Sequence, residues 1–383
     1  MPTAFDVRAL ASTVRIELDD SLSTADQDTI KAQWVDLAHD GDGEPDLVVR
    51  AGIRDQADST DSSYVVRATS PDALAQRITQ EVTLGAIGGL RGEALMLHAS
   101  AVALADGRVV GFVGPSGRGK TTAAQALGRS YGYVTDETLA VRADGSVVAY
   151  PKPLSIGMRP GVKATEAAST LGLRGAPTDD LRLVALVLLD RRSDIEHPFV
   201  EPVPIIEALS ALAPQTSHLS ALDRPLRTLL ETILSTGGVR RVVYTEASSL
   251  PPLIDDVLRT VGDDAPMLTD IPKLSERACG CFSDDVETRS NPPATEGPDA
   301  YWRASYVDAL TVDDALIVQV LGQVVVLAGV GPLIWLAADG LTEAELRETT
   351  VRQLPEPPAG VDVTAVISDA VEDLVAKRIL VRA

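Results

Sequence analysis

The chain has almost no cysteine. Cys279 and Cys281 are the two in 383 residues, one residue apart and with no second pair. They cannot make a four-cysteine zinc site, and such sparse use fits a reducing compartment. Positive charge is also short: 34 Lys and Arg stand against 55 Asp and Glu, a formal net charge of −21. Nucleic-acid binding wants a basic face, so this balance argues against a nucleic-acid partner, and the acidity reads as serving solubility. The opening residues Met1-Pro-Thr-Ala-Phe-Asp-Val-Arg8 hold no apolar signal-peptide core, so a cytoplasmic protein is expected. No internal repeat is evident. One stretch lacks charge altogether: Ala315 to Ala338, long enough to cross a bilayer. Gln319, Gly322 and Gln323 interrupt it between runs of valine, and Pro332 falls where a helix would begin. It therefore reads as a β-hairpin followed by a helix, and no membrane partner is expected.

What is present is a complete phosphate-binding loop pattern. Gly114-Pro115-Ser116-Gly117-Arg118-Gly119-Lys120-Thr121 matches G-x-x-x-x-G-K-[ST], with Thr122 following. Arg108 to Val113 before it reads as a buried strand, and Thr122 to Leu127 after it as the first turns of a helix. That framing is what the motif needs, because glycines let backbone N–H groups and a helix N-terminus face phosphate oxygens. Lys120 would reach the β- and γ-phosphates and the Thr121 hydroxyl would ligate Mg2+. The plainer alternative is a glycine-rich turn that only joins two elements. An ATP site in so acidic a chain must gather its own cations; Arg108, Arg118, Lys120, Arg129 and Arg142 are near in sequence.

Residues 1–68 read as a small β-rich segment, with strands at Val14–Leu18, Leu47–Arg50 and Tyr64–Arg67 and a helix over Thr24–Leu37. A helix is predicted from Pro71 to about Leu90, since Leu74, Ile78, Val82, Leu84 and Ile87 recur mostly at three or four residues. Ala94–Leu104 reads as a buried strand, turning at Asp106-Gly107 into the loop strand. After the loop helix, Gly132–Glu137 reads as a strand ending in two acids. A hairpin follows over Leu139–Tyr150, and Leu181–Leu189 is an apolar strand closing on Asp190. The rest, to about residue 262, reads as helical with one more strand, Arg240–Tyr244. Asp, Glu, Ser, Pro and Thr dominate 263–300, which reads as a linker. Residues 301–383 form a separate unit of three short strands (about 308–327), helices near 330–338, 342–353 and 361–376, and a last strand at Ile379–Arg382.

Three features would converge if the loop lies at the edge of a central sheet: His98, the loop, and Asp136-Glu137. An acid at the end of the strand after the loop helix is placed to hold Mg2+ or to take a proton from an incoming hydroxyl. Asp136 fits either role; a strand-end turn residue is the bland reading, and for Glu137 the two readings balance. A lone His on an apolar strand is commonly a packed core residue, but the position of His98, one strand before the loop strand, brings it toward the loop.

Leu97-His98-Ala99-Ser-Ala-Val102, the phosphate loop, and Val134-Thr-Asp-Glu137 resemble the catalytic domain of the HPr serine kinases and their relatives. The resemblance covers residues of about 90–250. It implies an α/β fold with a mixed sheet, of the phosphoenolpyruvate carboxykinase and HPr-kinase type, over a domain of 69–262. It also implies ATP and Mg2+ as cofactors, and His98, Lys120, Thr121 and Asp136 as working residues, with Thr121 and Asp136 on the metal. Two departures stand out. The second acid is Glu137 where the family usually has Asp. The downstream Glu-x-Arg-Gly signature of the bifunctional kinase/phosphorylases is absent, Leu154-Ser-Ile-Gly-Met-Arg-Pro160 being the nearest stretch, so phosphorylase activity is not expected.

The tail resembles PqqD-like leader-recognition domains: Val324–Gly331 leads into Pro332-Leu-Ile-Trp335, and Thr342 with Glu345 forms a capping box before the next helix. The resemblance implies an α+β, winged-helix-like domain that adds a peptide as an extra strand beside Val324, Val325, Val326 and Leu327, against the helix from Val363 to Ala376. The plainer reading is a generic winged-helix-like domain with no peptide. A serine-kinase-like core joined to a leader reader is expected to phosphorylate a Ser or Thr hydroxyl of a ribosomally made precursor peptide, the tether raising its effective concentration. Other biosynthetic enzymes are further candidate partners. Two alternatives stay open: a non-catalytic, nucleotide-gated peptide adaptor, and a kinase of a carrier protein or small metabolite. A homo-oligomer is a further candidate assembly.

Overall fold

The computed structural model of the chain describes residues 3–41, 43–53, 65–114, 119–159, 162–262, 266–271, 299–320, 322–356, 360 and 362–382. Two compact units emerge, Met1–Asp223 with Thr228–Asp263, and Arg224–Arg227 with Asp264–Ala383.

The first unit is built on a mixed sheet. Arg108–Val113, Arg182–Arg191 and Val239–Tyr244 are parallel neighbours. On one side of them Phe199–Val203 adds an antiparallel edge strand. On the other side runs the antiparallel strand Ala94–Ala103, which has no exposed residue along its length. The parallel strands are near-continuous runs of Val and Leu because a parallel sheet is covered on both faces. The loop helix Lys120–Gly128 buries Ala123, Ala124 and Leu127. Ala123 and Leu127 share a core with Phe112, Val187, Val242 and Ile254.

Residues 3–68 make a separate four-stranded sheet, Thr3–Ala9, Ser12–Leu18, Leu47–Ile53 and Val65–Ala68 in spatial order. The helix Pro71–Gly89 starts with Ser70 accepting from Ala73 N–H, and with Pro in its first turn. Leu74, Ile78 and Val82 are buried as their spacing predicts, but Leu84 is 55% exposed. It lies two residues after Val82, off the helical stripe, and Ala75, Thr79 and Ala86 complete the buried face instead. That face joins Trp34, Ile16 and Val49 to Met96, Ala140 and Tyr150 in one core, so the small sheet rests through the helix on the mixed sheet.

The apolar strand expected at Leu181–Leu189 is present as Arg182–Arg191, but beyond it the expectation of helices with one strand needs correcting. The strands Phe199–Val203 and Thr216–Ser217 are also present, and a hairpin, Leu154–Arg159 with Val162–Glu166, precedes the apolar strand. Pro202 argues against a strand locally, yet the strand is an edge, where a missing N–H is tolerated.

The second unit is α+β. Leu268–Asp270, Asp308–Val312, Ala315–Val320 and Gln323–Leu327 form an antiparallel sheet in that order. Helices Gly331–Ala337, Glu343–Gln353 and Val363–Ala376 follow. A small sheet places Ala300–Arg303 between Asp339–Thr342 and Leu380–Arg382. Trp335, Ile334, Leu346, Ile367 and Val371 share its core. The capping box at Thr342 and Glu345 is formed. The uncharged stretch 315–338 is thus two strands and a short helix, and among the described residues no helix is long and apolar enough to cross a membrane. Of the segment read as a linker, 263–265 and 272–298, with Cys279 and Cys281, lie outside the described residues; Leu268–Asp270 inside it is a strand.

Candidate functional site

The site forms where the strand order breaks. Ala94–Ala103 is flanked on one side first by the loop strand, Ala99 opposite Val113, and then by the two-residue strand Thr216–Ser217, Thr216 opposite Leu97. His98 sits between these pairings, at the point where the loop leaves the sheet. On the other side His98 pairs with Thr138.

Pro115, Ser116, Gly117 and Arg118 lie outside the described residues. The loop's two ends are described. Gly114 closes the strand, and Gly119 caps the helix at φ 92°, a left-handed conformation that favours glycine. Lys120 and Thr121 open the helix, and Thr122 is exposed beside them. The Lys120 ammonium is buried and donates to the Gly114 carbonyl at 2.7 Å. Burial holds its pKa below the ordinary lysine value, against the pull of Glu137 and Asp136.

The strand after the loop helix, Gly132–Thr135, ends directly before the two acids. Gly132–Thr135 and Thr138–Arg142 both run antiparallel to Ala94–Ala103, and Asp136-Glu137 is the break between them. The break is satisfied locally: Thr135 Oγ1 accepts the N–H of Glu137 and of Thr138, each at 3.2 Å, and the Glu137 carbonyl accepts from Ala99 N–H at 3.0 Å. Asp136 turns inward. Its Oδ2 accepts from the Thr121 hydroxyl at 3.0 Å and its Oδ1 from the Tyr133 hydroxyl at 3.1 Å. Burial first, then the Asp136 charge, pushes the Tyr133 pKa well up, so this phenol stays a donor. His98 is pulled below the usual imidazole pKa by burial and by Lys120, opposed by Glu137 and Asp136. His98, Lys120, Thr121, Asp136 and Glu137 are thereby brought to one place.

Arg118 lies outside the described residues, and Arg108, Arg129 and Arg142, the other cations named near the loop, are not brought there. Arg108 begins the loop strand, at the end away from the loop, and pairs with Asp106 at 2.7 Å. Arg129 closes the loop helix at its far end, and Arg142 stands opposite Ala94. Instead Lys152 enters, its ammonium 3.0 Å from Asp136 Oδ1 and 3.0 Å from Glu137 Oε2. Its one signal in the sequence is a lysine between two prolines, Pro151-Lys152-Pro153, after an apolar run.

Thr121 Oγ1 and Asp136 Oδ2 are hard oxygens 3.0 Å apart. Two neighbouring ligands of an octahedral Mg2+ at its usual bond length stand about 2.9 Å apart, so the pair fits that ion. Among the described residues no group of three His, Cys, Asp or Glu could hold a metal. Such a cluster is not what Mg2+ needs beside a phosphate, where phosphate and water supply the other ligands.

In the second unit, Val324, Val325 and Val326 are half-buried and Leu327 is buried, on the last strand of its sheet. Among the described residues no strand pairs with the outer side of Gln323–Leu327.

No protein-family model matches this chain, and no curated protein matches it. Among solved structures, the HPr(Ser) kinase/phosphatase from Coxiella burnetii is similar over 43% of this chain and 93% of its own, at 16% identity and a TM-score of 0.26. A likeness of that size carries no conclusion about activity.

Proposed function

We propose that the protein is an ATP- and Mg2+-dependent kinase that phosphorylates a Ser or Thr hydroxyl of a ribosomally made precursor peptide. The observation that carries this reading is the meeting of Thr121 and Asp136 at 3.0 Å beside Lys120, with Glu137 and His98 alongside. A phosphate loop by itself would bind a nucleotide; an acid pair and an imidazole next to it supply groups that can receive and orient a hydroxyl. ATP would lie with its phosphates on the loop and Lys120, and Mg2+ on Thr121 and Asp136. When bound, the metal would offset charge on the phosphates. Lys120 would draw negative charge toward itself, and the buried walls around it would exclude water.

The second unit supplies the recruiting surface in this reading. An edge strand rich in valine, with no strand on its outer side among the described residues, offers main-chain partners and apolar side chains to an extended peptide. Linking it to the kinase site raises the local concentration of the acceptor without any new contact.

The test is direct. The full chain is mixed with ATP, Mg2+ and the short peptides encoded beside its gene, and each peptide is weighed. One added phosphoryl group with the wild type and none with Lys120→Ala supports the reading. Equal behaviour of the two proteins refutes it. Peptide handover to another enzyme that survives Asp136→Asn would instead point to the nucleotide-gated adaptor.

A further inference from the structure

Lys152 has no part in the phosphate-loop chemistry above, yet it is more deeply buried than Lys120, 3% against 7% exposed. Its ammonium meets Asp136 Oδ1 and Glu137 Oε2, each at 3.0 Å, and the Pro153 carbonyl at 3.3 Å. Three acceptors use its three N–H bonds. The segment that carries it is anchored: Tyr150 N–H donates to the Val134 carbonyl at 2.9 Å, and the Tyr150 hydroxyl meets Thr83 Oγ1 at 2.9 Å. Pro151 and Pro153 then fix the backbone angle on both sides. Burial alone would discharge this lysine; the two carboxylates reverse that and hold it charged.

The two acids it joins are unlike. The Asp136 side chain is 5% exposed, and Lys152, Tyr133 and Thr121 occupy both its oxygens. Turning it would break three bonds. The Glu137 side chain is 39% exposed and is held by Lys152 through Oε2. Lys152 thus fixes Glu137 beside Asp136, with much more of its side chain open than Asp136 has.

We infer that Lys152 is a positioning residue that divides the acid pair: it pins Asp136 toward the Thr121 hydroxyl and leaves Glu137 Oε1 as the oxygen that meets the acceptor hydroxyl. The inference rests on the kinase reading. In the step it implies, the acceptor O–H bond breaks and its proton passes to Glu137. The acceptor oxygen bonds to the γ-phosphorus, and the bond from that phosphorus to the ADP oxygen breaks, its electron pair leaving on ADP. Glu137 is then a catalytic residue, and Asp136 a residue of the nucleotide and metal side.

The experiment uses the full chain with Glu137→Gln, Asp136→Asn, Lys152→Met and Lys152→Arg. Two quantities are measured: the affinity of a fluorescent ADP analogue with and without Mg2+, and ADP formed from ATP with water or serine-containing peptides as acceptor. Glu137→Gln should keep the Mg2+-dependent affinity and lose at least ~100-fold in turnover. Asp136→Asn should lose the Mg2+ dependence of affinity by at least ~10-fold. Lys152→Met should show both defects, and Lys152→Arg should recover part of each. Should Lys152→Met fail to fold, the contrast between the two acid variants decides alone. Wild-type turnover in Glu137→Gln, or the same two defects in both acid variants, overturns the division and leaves the kinase reading standing. A wild type that forms no ADP with any acceptor overturns both.

Discussion

Thr121 Oγ1 donates to Asp136 Oδ2 at 3.0 Å, tying the first turn of the loop helix to a break in the neighbouring strand pair. The bond connects the two parts of the chain that a phosphate and its metal would have to touch together. Because Asp136 is also held by Tyr133 and Lys152, the distance between loop and acid is set before any ligand arrives.

Lys120 is the group that would reach a phosphate from the loop, and its ammonium donates to the Gly114 carbonyl. Lys120→Ala should weaken ATP binding at least ~10-fold, the loss of one charge-assisted contact of about 1.4 kcal/mol. Its thermal midpoint should not fall, since a partly desolvated ammonium is removed. Calorimetric titration with ATP and Mg2+ checks the first statement, and a melt checks the second. Unchanged affinity would count against the loop as the phosphate site.

Asp136→Asn leaves Lys152 with Glu137 as its carboxylate in a setting where the lysine side chain is 4% exposed. Breaking a buried pair from one side should cost roughly 3 kcal/mol in urea denaturation. Adding Lys152→Met should cost less than the sum of the two single changes, because the half-paired charge goes with it. Strict additivity would show that the pair is not coupled.

His98 has its pKa lowered, by burial first and by Lys120 second. With the folded value below the unfolded one, the unfolded chain takes up the proton more readily. The stability linked to His98 is therefore complete above the unfolded value of 6.5 and is lost as the pH falls through the folded value. The thermal midpoint should drop between about pH 7.5 and about pH 5, and His98→Gln should flatten that slope. Parallel slopes in both proteins would remove His98 from the account.

The edge strand Gln323–Leu327 points alternate N–H groups inward to Ala315–Val320 and outward. Val324→Pro and Val325→Pro therefore differ in kind: one removes an inward N–H and the other an outward one. The outward variant should lose peptide capture with little change in the thermal midpoint, and the inward one should lose stability. Peptide capture by both variants at wild-type strength would exclude strand addition at this edge.

Much of the fold was legible in local pattern. The helix at Pro71 announces itself by a cap, a proline and a repeating apolar stripe; the capping box at Thr342 and Glu345 needs four residues to be recognised. Asp106-Gly107 turns as such dipeptides do, with Gly107 at φ 85°. The strand Phe199–Val203 was not legible, because its stabilising partner, Val239–Tyr244, lies far along the chain and its own Pro202 speaks against it. Leu84 marks the opposite limit: it contributes to the helical spacing, yet its angle places it outside the buried face.

The site divides along the same line. The loop motif, its strand and its helix are written in contiguous residues, because backbone reversal and phosphate contact depend on neighbours along the chain. That Asp136-Glu137 interrupts a strand pair, that His98 stands where the loop strand gives way to Thr216–Ser217, and that Lys152 bridges the two acids follow from pairing between distant segments. Register across a sheet and the compensation of a buried charge are settled by packing, so no local pattern could have announced them.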